Sequence, residues 1–259
     1  MLTQQQHESF ESDGFVRISA FSKDDASAME ELVWGGLNRL HGIVRDEPAT
    51  WTVMHPSGLQ PLKAHKVFAP IGSPVLIEAI DDLMGAGQWE KPKHWGQFLV
   101  TFPQSDGTWN VPCQVWHTDY DFLPPPGRVS GLLVFSFLSS VPPQSGGTAV
   151  VAGSHRMIRE YVNTRQSRNL KRMKKVRRDL LASDPWLKKL SSDDDAPDRI
   201  EQFMMKETTV SGVPLRVKEL TGKPGEIILG HPWLLHSGSP NCGQYPRIMR
   251  VQRLSGNRN

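Results

Sequence analysis

Residues Val111–Phe122 read VPCQVWHTDYDF, and the reading of His117-Thr118-Asp119 at their centre decides the fold. In an extended strand alternate side chains share a face, so His117 and Asp119 are expected to point the same way. An imidazole beside a carboxylate makes two thirds of a facial triad of two histidines and one carboxylate. The tripeptide is common by chance. Its meaning depends on a third ligand elsewhere and on a fold that brings the two stretches together.

Working outward, His236 is the third candidate. It follows apolar Leu234-Leu235 and precedes a polar turn, and Arg247 opens the next strand. His231, just before Pro232-Trp233, is the alternative ligand. A jelly roll, with its two packed sheets, pairs early strands with late ones and would unite these segments. A mainly β chain with flanking helices around such a core is therefore expected.

The bulk numbers agree. A chain of 259 residues can bury a large core, and one barrel domain of this length is ordinary. Hydrophobic residues make up 38% and charged residues 22%, as in globular proteins, and no run approaches the ~18 apolar residues of a membrane helix. The polar start MLTQQQHESF does not read as a leader, and the GNRN end is no peroxisomal address. Two cysteines, Cys113 and Cys242, form no disulfide framework. They fit a reducing cytosol and read as small buried fillers. A net charge of +3 does not point to nucleic acid.

In chain order, Thr3 caps a first helix, and Asp13-Gly14 turns into a strand from Phe15. Ser22 or Asp24 caps a second helix reaching about Leu40. Trp51–Pro70 reads as loops and short strands, Pro74–Met84 as a helix closed by Gly85 and Gly87, and Gln97–Phe102 as a strand. After a turn at Pro124-Pro125-Pro126-Gly127, the apolar run Val129–Leu138 reads as one buried strand. Ser145–Arg156 reads as a strand between glycine turns, with His155 fixing one of them. Glu226–Leu229 and Arg247–Leu254 are the last long strands. Arg165–Leu190 carries ten basic residues on an amphipathic helical pattern, followed by Asp193-Asp194-Asp195, which could neutralise part of them. With neither repeat nor linker, the economical reading is one domain over 1–259. Helices of about 1–90 pack on the barrel, and a basic helical insert of about 160–200 forms a lid.

His117-x-Asp119, the segment Ser145-Gly146-Gly147-Thr148…Gly153-Ser154-His155, and His236 with Arg247 together resemble the phytanoyl-CoA dioxygenase family. Asp13-Gly14-Phe15-Val16 is similar to that family's N-terminal region. The resemblance implies a double-stranded β-helix and a non-haem Fe(II), 2-oxoglutarate-dependent oxygenase. It assigns His117, Asp119 and His236 to the metal and leaves three positions for 2-oxoglutarate and O2, with ascorbate as a supporting reductant. Arg247 matches the residue that receives the distal carboxylate of 2-oxoglutarate, a task suited to a planar, permanent cation. The family commonly adds a hydroxyl two residues after the distal histidine, where this chain has Gly238 between Ser237 and Ser239. Ser237, Thr148 and Gln114 are further candidates for cosubstrate contacts. Related halogenases replace the carboxylate with glycine or alanine, so Asp119 favours hydroxylation or a related oxidation.

The resemblance thus implies a dioxygenase acting on a small metabolite, and the basic insert suggests an anionic one. Trp51, His55, Lys66, Trp95, Asp121, Trp233 and Arg250 are candidate substrate-lining residues, with Tyr120 also facing the substrate. Two other classes remain. One is a cupin-like binding barrel without oxygenase activity, against which Arg247 argues. The other is a zinc hydrolase, for which no general base stands beside the ligands and no HExxH spacing occurs.

Overall fold

Both faces of β3 (Gly131–Phe137) are buried, which explains why GLLVFSF shows no polar alternation. The computed structural model describes residues 1–104, 107–122, 129–164 and 173–257. The Pro124–Gly127 turn and residues 165–172 of the basic segment lie outside them.

Two antiparallel sheets face each other. The larger has the order β1-β7-β3-β9-β2, with β1 Phe15–Ser19, β2 Gln97–Thr101, β7 Glu226–Gly230 and β9 Arg247–Ser255. The smaller has the order β5-β6-β4-β8, with β4 Thr148–Ala152, β5 Thr208–Val210, β6 Val213–Leu220 and β8 His236–Ser237. The core falls into three clusters that define the layers. Leu133, Phe135, Phe137, Val150 and Met249 fill the space between the sheets. Leu132, Val134 and Ile248, one residue out of step, face outward and join Met29, Val33, Leu76 and Ile80 under the N-terminal helices. Ala149 and Val151, on the outer side of β4, pack with Met157, Ile158, Leu180 and Leu187. Each sheet thus buries both faces, the inner against its partner and the outer against helices.

The helices follow local chemistry. Thr3 and Gln6 form a capping box on α1 (Gln4–Asp13), and Ser22, rather than Asp24, forms one with Asp25 on α2 (Lys23–His41). Gly14 ends α1 at φ 85°, and a side chain there would meet His155 Nδ1 at 2.5 Å. α3 spans Pro74–Met84 with Pro74 in its first turn. Trp51–Pro70 holds 3₁₀ turns at 60–64 and 66–72 where short strands were expected. Gly153 leads into a helix, α4 (Ser154–Asn163), so His155 sits in a helical first turn rather than a simple loop. Among the described residues the basic segment forms two helices, α5 (Met173–Leu181) and α6 (Pro185–Leu190), the second capped by Asp184 with Pro185 in its first turn. Cys113 and Cys242 are half-buried, not buried fillers.

Candidate metal and cosubstrate site

His117 does not lie in a strand, contrary to expectation. Val111–Phe122 is loop, held at one point by a bridge to β8. At that point His117 N–H donates to His236 O at 3.0 Å, and His236 N–H donates to His117 O at 2.9 Å. The two histidines are therefore direct cross-strand partners, with ring centroids 4.3 Å apart. β8 in turn pairs with β4, Val150 opposite His236. Asp119 completes the group. Its Oδ1 is 3.8 Å from His117 Nε2 and its Oδ2 is 3.6 Å from His236 Nε2. One ligand atom from each of the three residues lies within 4.8 Å of the others, so they could hold a metal ion.

The tautomers suit that role. His117 Nδ1 lies 2.8 Å from Val115 O, and His236 Nδ1 lies 2.8 Å from Leu234 O. A carbonyl only accepts, so each Nδ1 carries the proton and each Nε2 turns a lone pair toward the centre. Burial, followed by the neighbouring His117, lowers the pKa of His236 to about 4, so this ring is neutral at physiological pH. Two imidazoles that turn Nε2 toward the centre and one carboxylate match the donor set of a non-haem iron site. Asp119 Oδ1 also accepts from Arg253 Nη2 at 2.6 Å. Arg253 comes from the inner face of β9 and was not singled out from the sequence. Its signal would have been its even spacing from Arg247 on one strand.

The triad opens into a cavity of about 510 Å³ lined by Gln97, Leu99, Phe135, Thr148, Gly238, Arg247, Val251, Gln252 and Arg253 as well as the three ligands. Arg247 is buried, with 6% exposure. Its Nη2 donates to Thr101 Oγ1 at 2.7 Å and its Nη1 to Gly146 O, while its Nε has no partner. Desolvation lowers its pKa to about 10, against the opposing pull of Glu219. Glu219 makes no ion pair with it among the described residues and accepts instead from the amides of Gln144 and Gly147, at 2.7 and 3.0 Å. A protonated guanidinium that lines the cavity and has no ion pair among the described residues fits a carboxylate such as the distal one of 2-oxoglutarate.

Gly238, two residues after His236, offers no hydroxyl; the hydroxyl against Arg247 is that of Thr101 on β2, its register partner across from β9. Thr148 lines the cavity, but Gln114 and Ser237 are not among the lining residues. Ser237 Oγ donates to Gln114 O at 2.9 Å, so these two serve each other. His231 stands apart from the triad, its Nδ1 accepting from Trp233 N at 3.0 Å and its ring 4.8 Å from that of His155.

None of the residues expected to line the substrate space borders this cavity. Trp51, Trp95 and Arg250 lie on the outer face of the large sheet, Arg250 stacked 4.3 Å from Phe68 and 4.8 Å from Phe98. Trp233 is buried behind the small sheet, and its indole N–H donates to Asp121 O at 3.0 Å. His55, Lys66 and Asp121 are likewise absent from the lining. The Tyr120 hydroxyl lies 2.5 Å from Leu254 O and 3.1 Å from Leu132 O, pinning the loop to the large sheet rather than facing a ligand.

A jelly roll that sets a facial triad within reach of a buried, unpaired guanidinium is built for a metal and a dicarboxylate, the pairing used by iron and 2-oxoglutarate oxygenases. The chain belongs to the phytanoyl-CoA dioxygenase (PhyH) family, whose model matches residues 52–249. It is accordingly an enzyme of the Fe(II)/2-oxoglutarate-dependent oxygenase class, with iron as cofactor and 2-oxoglutarate as cosubstrate. A search of curated proteins found no match.

Solved structures share the fold. EvdMO1 is similar with a TM-score of 0.55 at 17% identity, over 97% of this chain. This chain spans 49% of the length of EvdMO1. SnoK, a non-haem α-ketoglutarate-dependent carbocyclase from nogalamycin biosynthesis, gives 0.52 at 16%, over 99% of this chain and 84% of its own. HygX from Streptomyces hygroscopicus, solved with nickel and 2-oxoglutarate bound, gives 0.53 at 15%, over 98% and 87%. Among the described residues no helix is long and apolar enough to cross a membrane.

Proposed function

We propose that this chain is one oxygenase domain that hydroxylates, or otherwise oxidises, a small anionic metabolite in the cytoplasm, releasing succinate and CO2. The observation that carries the reading is the shared cavity. The triad and Arg247 line the same 510 Å³ space, a size suited to a cosubstrate and a small molecule.

In this reading His117, Asp119 and His236 hold the iron. The bound iron and 2-oxoglutarate supply the oxidising chemistry. The protein's residues supply position and shelter. The Val115 and Leu234 carbonyls fix both imidazoles as Nε2 donors before any ligand arrives. Arg253 occupies Asp119 Oδ1, which leaves Oδ2 to face the centre. Arg247, held by Thr101 and Gly146, receives the distal carboxylate and sets the depth of the cosubstrate. Leu99, Phe135 and Val251 give the cavity an apolar wall that excludes water from the reacting face. Arg253, largely exposed at the rim, is the cation nearest the metal for an anionic substrate to meet.

The test is succinate formation from 2-oxoglutarate with Fe(II) and ascorbate across a metabolite library. His117→Ala and Asp119→Ala should each abolish it. Full turnover in both variants would end the proposal.

A further inference from the structure

Behind the ligand loop, toward α5 and α6, lies a second, open cavity of about 580 Å³ that the oxygenase site does not use. Val115 and Trp116, the two residues before His117, form part of its floor. Its walls carry Lys174, Arg177 and Arg178 from α5 and Lys188 from α6. Residues 174, 177 and 178 stand at i, i+3 and i+4, so their side chains share one side of the helix.

This is not an ordinary solvated basic face. No carboxylate lines the cavity, and none of the four cations forms an ion pair among the described residues. Asp193, Asp194 and Asp195 form no ion pair with them among the described residues, and Asp195 accepts instead from the Asn110 amide at 2.7 Å. Arg177 turns inward, its Nη1 3.4 Å from Thr118 O and its Nε buried without an acceptor among the described residues. The hydroxyls of Ser191 and Ser192 donate to the carbonyls of Leu187 and Lys189, so they leave the cations' charge unanswered. Like charges at this spacing repel, and that cost falls when an anion enters.

We propose that this cavity is a binding site for a multiply charged phosphoryl anion. A single carboxylate would satisfy one of four cations, whereas a diphosphate offers enough charge and acceptors for two guanidinium forks and two ammonium groups. The phosphoryl group belongs either to the oxidised substrate or to a free phosphoanion. The first source rests on the anionic-substrate reading above, and the second does not.

The test is calorimetric titration of the full chain with pyrophosphate at low ionic strength, against chloride at matched ionic strength. Wild-type protein should bind pyrophosphate saturably. Lys174→Gln/Arg178→Gln, which changes only exposed side chains, should bind at least tenfold more weakly and keep its affinity for Mn(II) and 2-oxoglutarate. Charge reversal at the same two positions should abolish binding. No saturable binding, or equal affinity in the double variant, overturns the proposal. Once a substrate is known, a rise in its KM with added pyrophosphate assigns the site to the substrate's phosphate, and an unchanged KM assigns it to a free anion. The titration needs no turnover, so it stands even if the oxygenase screen fails.

Discussion

Arg247 is a cation taken out of water beside a cavity, with an open Nε and no ion pair among the described residues. Its charge is in place before the cosubstrate arrives, and its geometry depends on Thr101. Thr101→Val removes that partner while keeping the volume, and should raise the KM for 2-oxoglutarate several-fold, in line with about 1 kcal/mol for one hydrogen bond. Arg247→Lys keeps the charge but loses the fork, and should raise it at least tenfold. Succinate release at varied 2-oxoglutarate measures both, and an unchanged KM in Arg247→Lys would remove Arg247 from the cosubstrate site. Arg253 acts on the other ligand. Arg253→Ala frees Asp119 Oδ1 and should weaken Mn(II) binding by roughly tenfold, read by calorimetry. Tighter binding would mean that Arg253 serves mainly as a competing positive charge. The triad was legible because its residue types are rare in combination. Arg253 and Thr101 were not, because their roles follow from strand register, which one sequence does not display.

The ligand loop has little regular structure, so its position must come from tethers. Arg199, 1% exposed, is the main one. Its Nε donates to Val111 O at 3.0 Å and its Nη2 to Pro112 O at 2.9 Å and Leu190 O at 2.6 Å. Its Nη1 donates to Lys189 O at 3.1 Å and Asp194 O at 3.0 Å. One side chain thus ties the loop to the end of α6. Arg199→Met leaves five carbonyls short of a donor and should cost about 3 kcal/mol or more in urea unfolding. A change below about 0.5 kcal/mol would show that water replaces the guanidinium freely. The element boundaries that local chemistry writes, such as the Thr3 and Ser22 caps and Pro74, were readable in the sequence. The loop around His117 was misread as strand because its apolar and polar residues alternate while its backbone pairing fails, with Val115 at φ 60°. β5 and β6 were missed because β5 is three residues long and Pro214, near the start of β6, reads against a strand. Arg250 was assigned to the substrate because charged residues are seldom sealed inside a fold, yet two phenylalanine rings hold it on the far side of the sheet.

Taken as a whole, the molecule stacks helices, sheet, sheet and helices, and its N-terminal corner joins the layers. Gly153 N–H donates to Asp13 O at 3.0 Å, and His231 N–H donates to Gly14 O at 2.7 Å. The rings of His155 and His231 lie tilted against each other beneath this corner. Burial lowers the pKa of His155 to about 4, and burial next to His155 pushes His231 well below its usual value. A folded-state value below the unfolded one means that the unfolded chain binds the extra proton. For both groups stability is therefore full above about pH 6.5 and falls as the pH drops, the His155 part levelling off below about 4. For His155 alone the loss amounts to about 3 kcal/mol by linkage. Urea unfolding of the metal-free protein from pH 7.5 to pH 4.5 should show it, with a shallower slope in His155→Gln. Equal slopes would mean that the corner opens to water before the fold does. The jelly roll itself was legible through the family resemblance that His117-x-Asp119, the Ser145–His155 segment and His236 with Arg247 carry together, since no one of these stretches states a fold alone.

β9 presents opposite cargo on its two sides. Arg247 and Arg253 turn inward to the cavity, while Ile248, Arg250 and Leu254 turn outward to the helical layer. A single-residue insertion or deletion within the strand would exchange the two sets at a stroke, placing Ile248 where the cosubstrate's carboxylate belongs. Substitutions along this strand can be absorbed one at a time, but its length cannot drift. Over evolutionary time, gains and losses of residues should therefore collect in the surface turns and spare Arg247–Ser255.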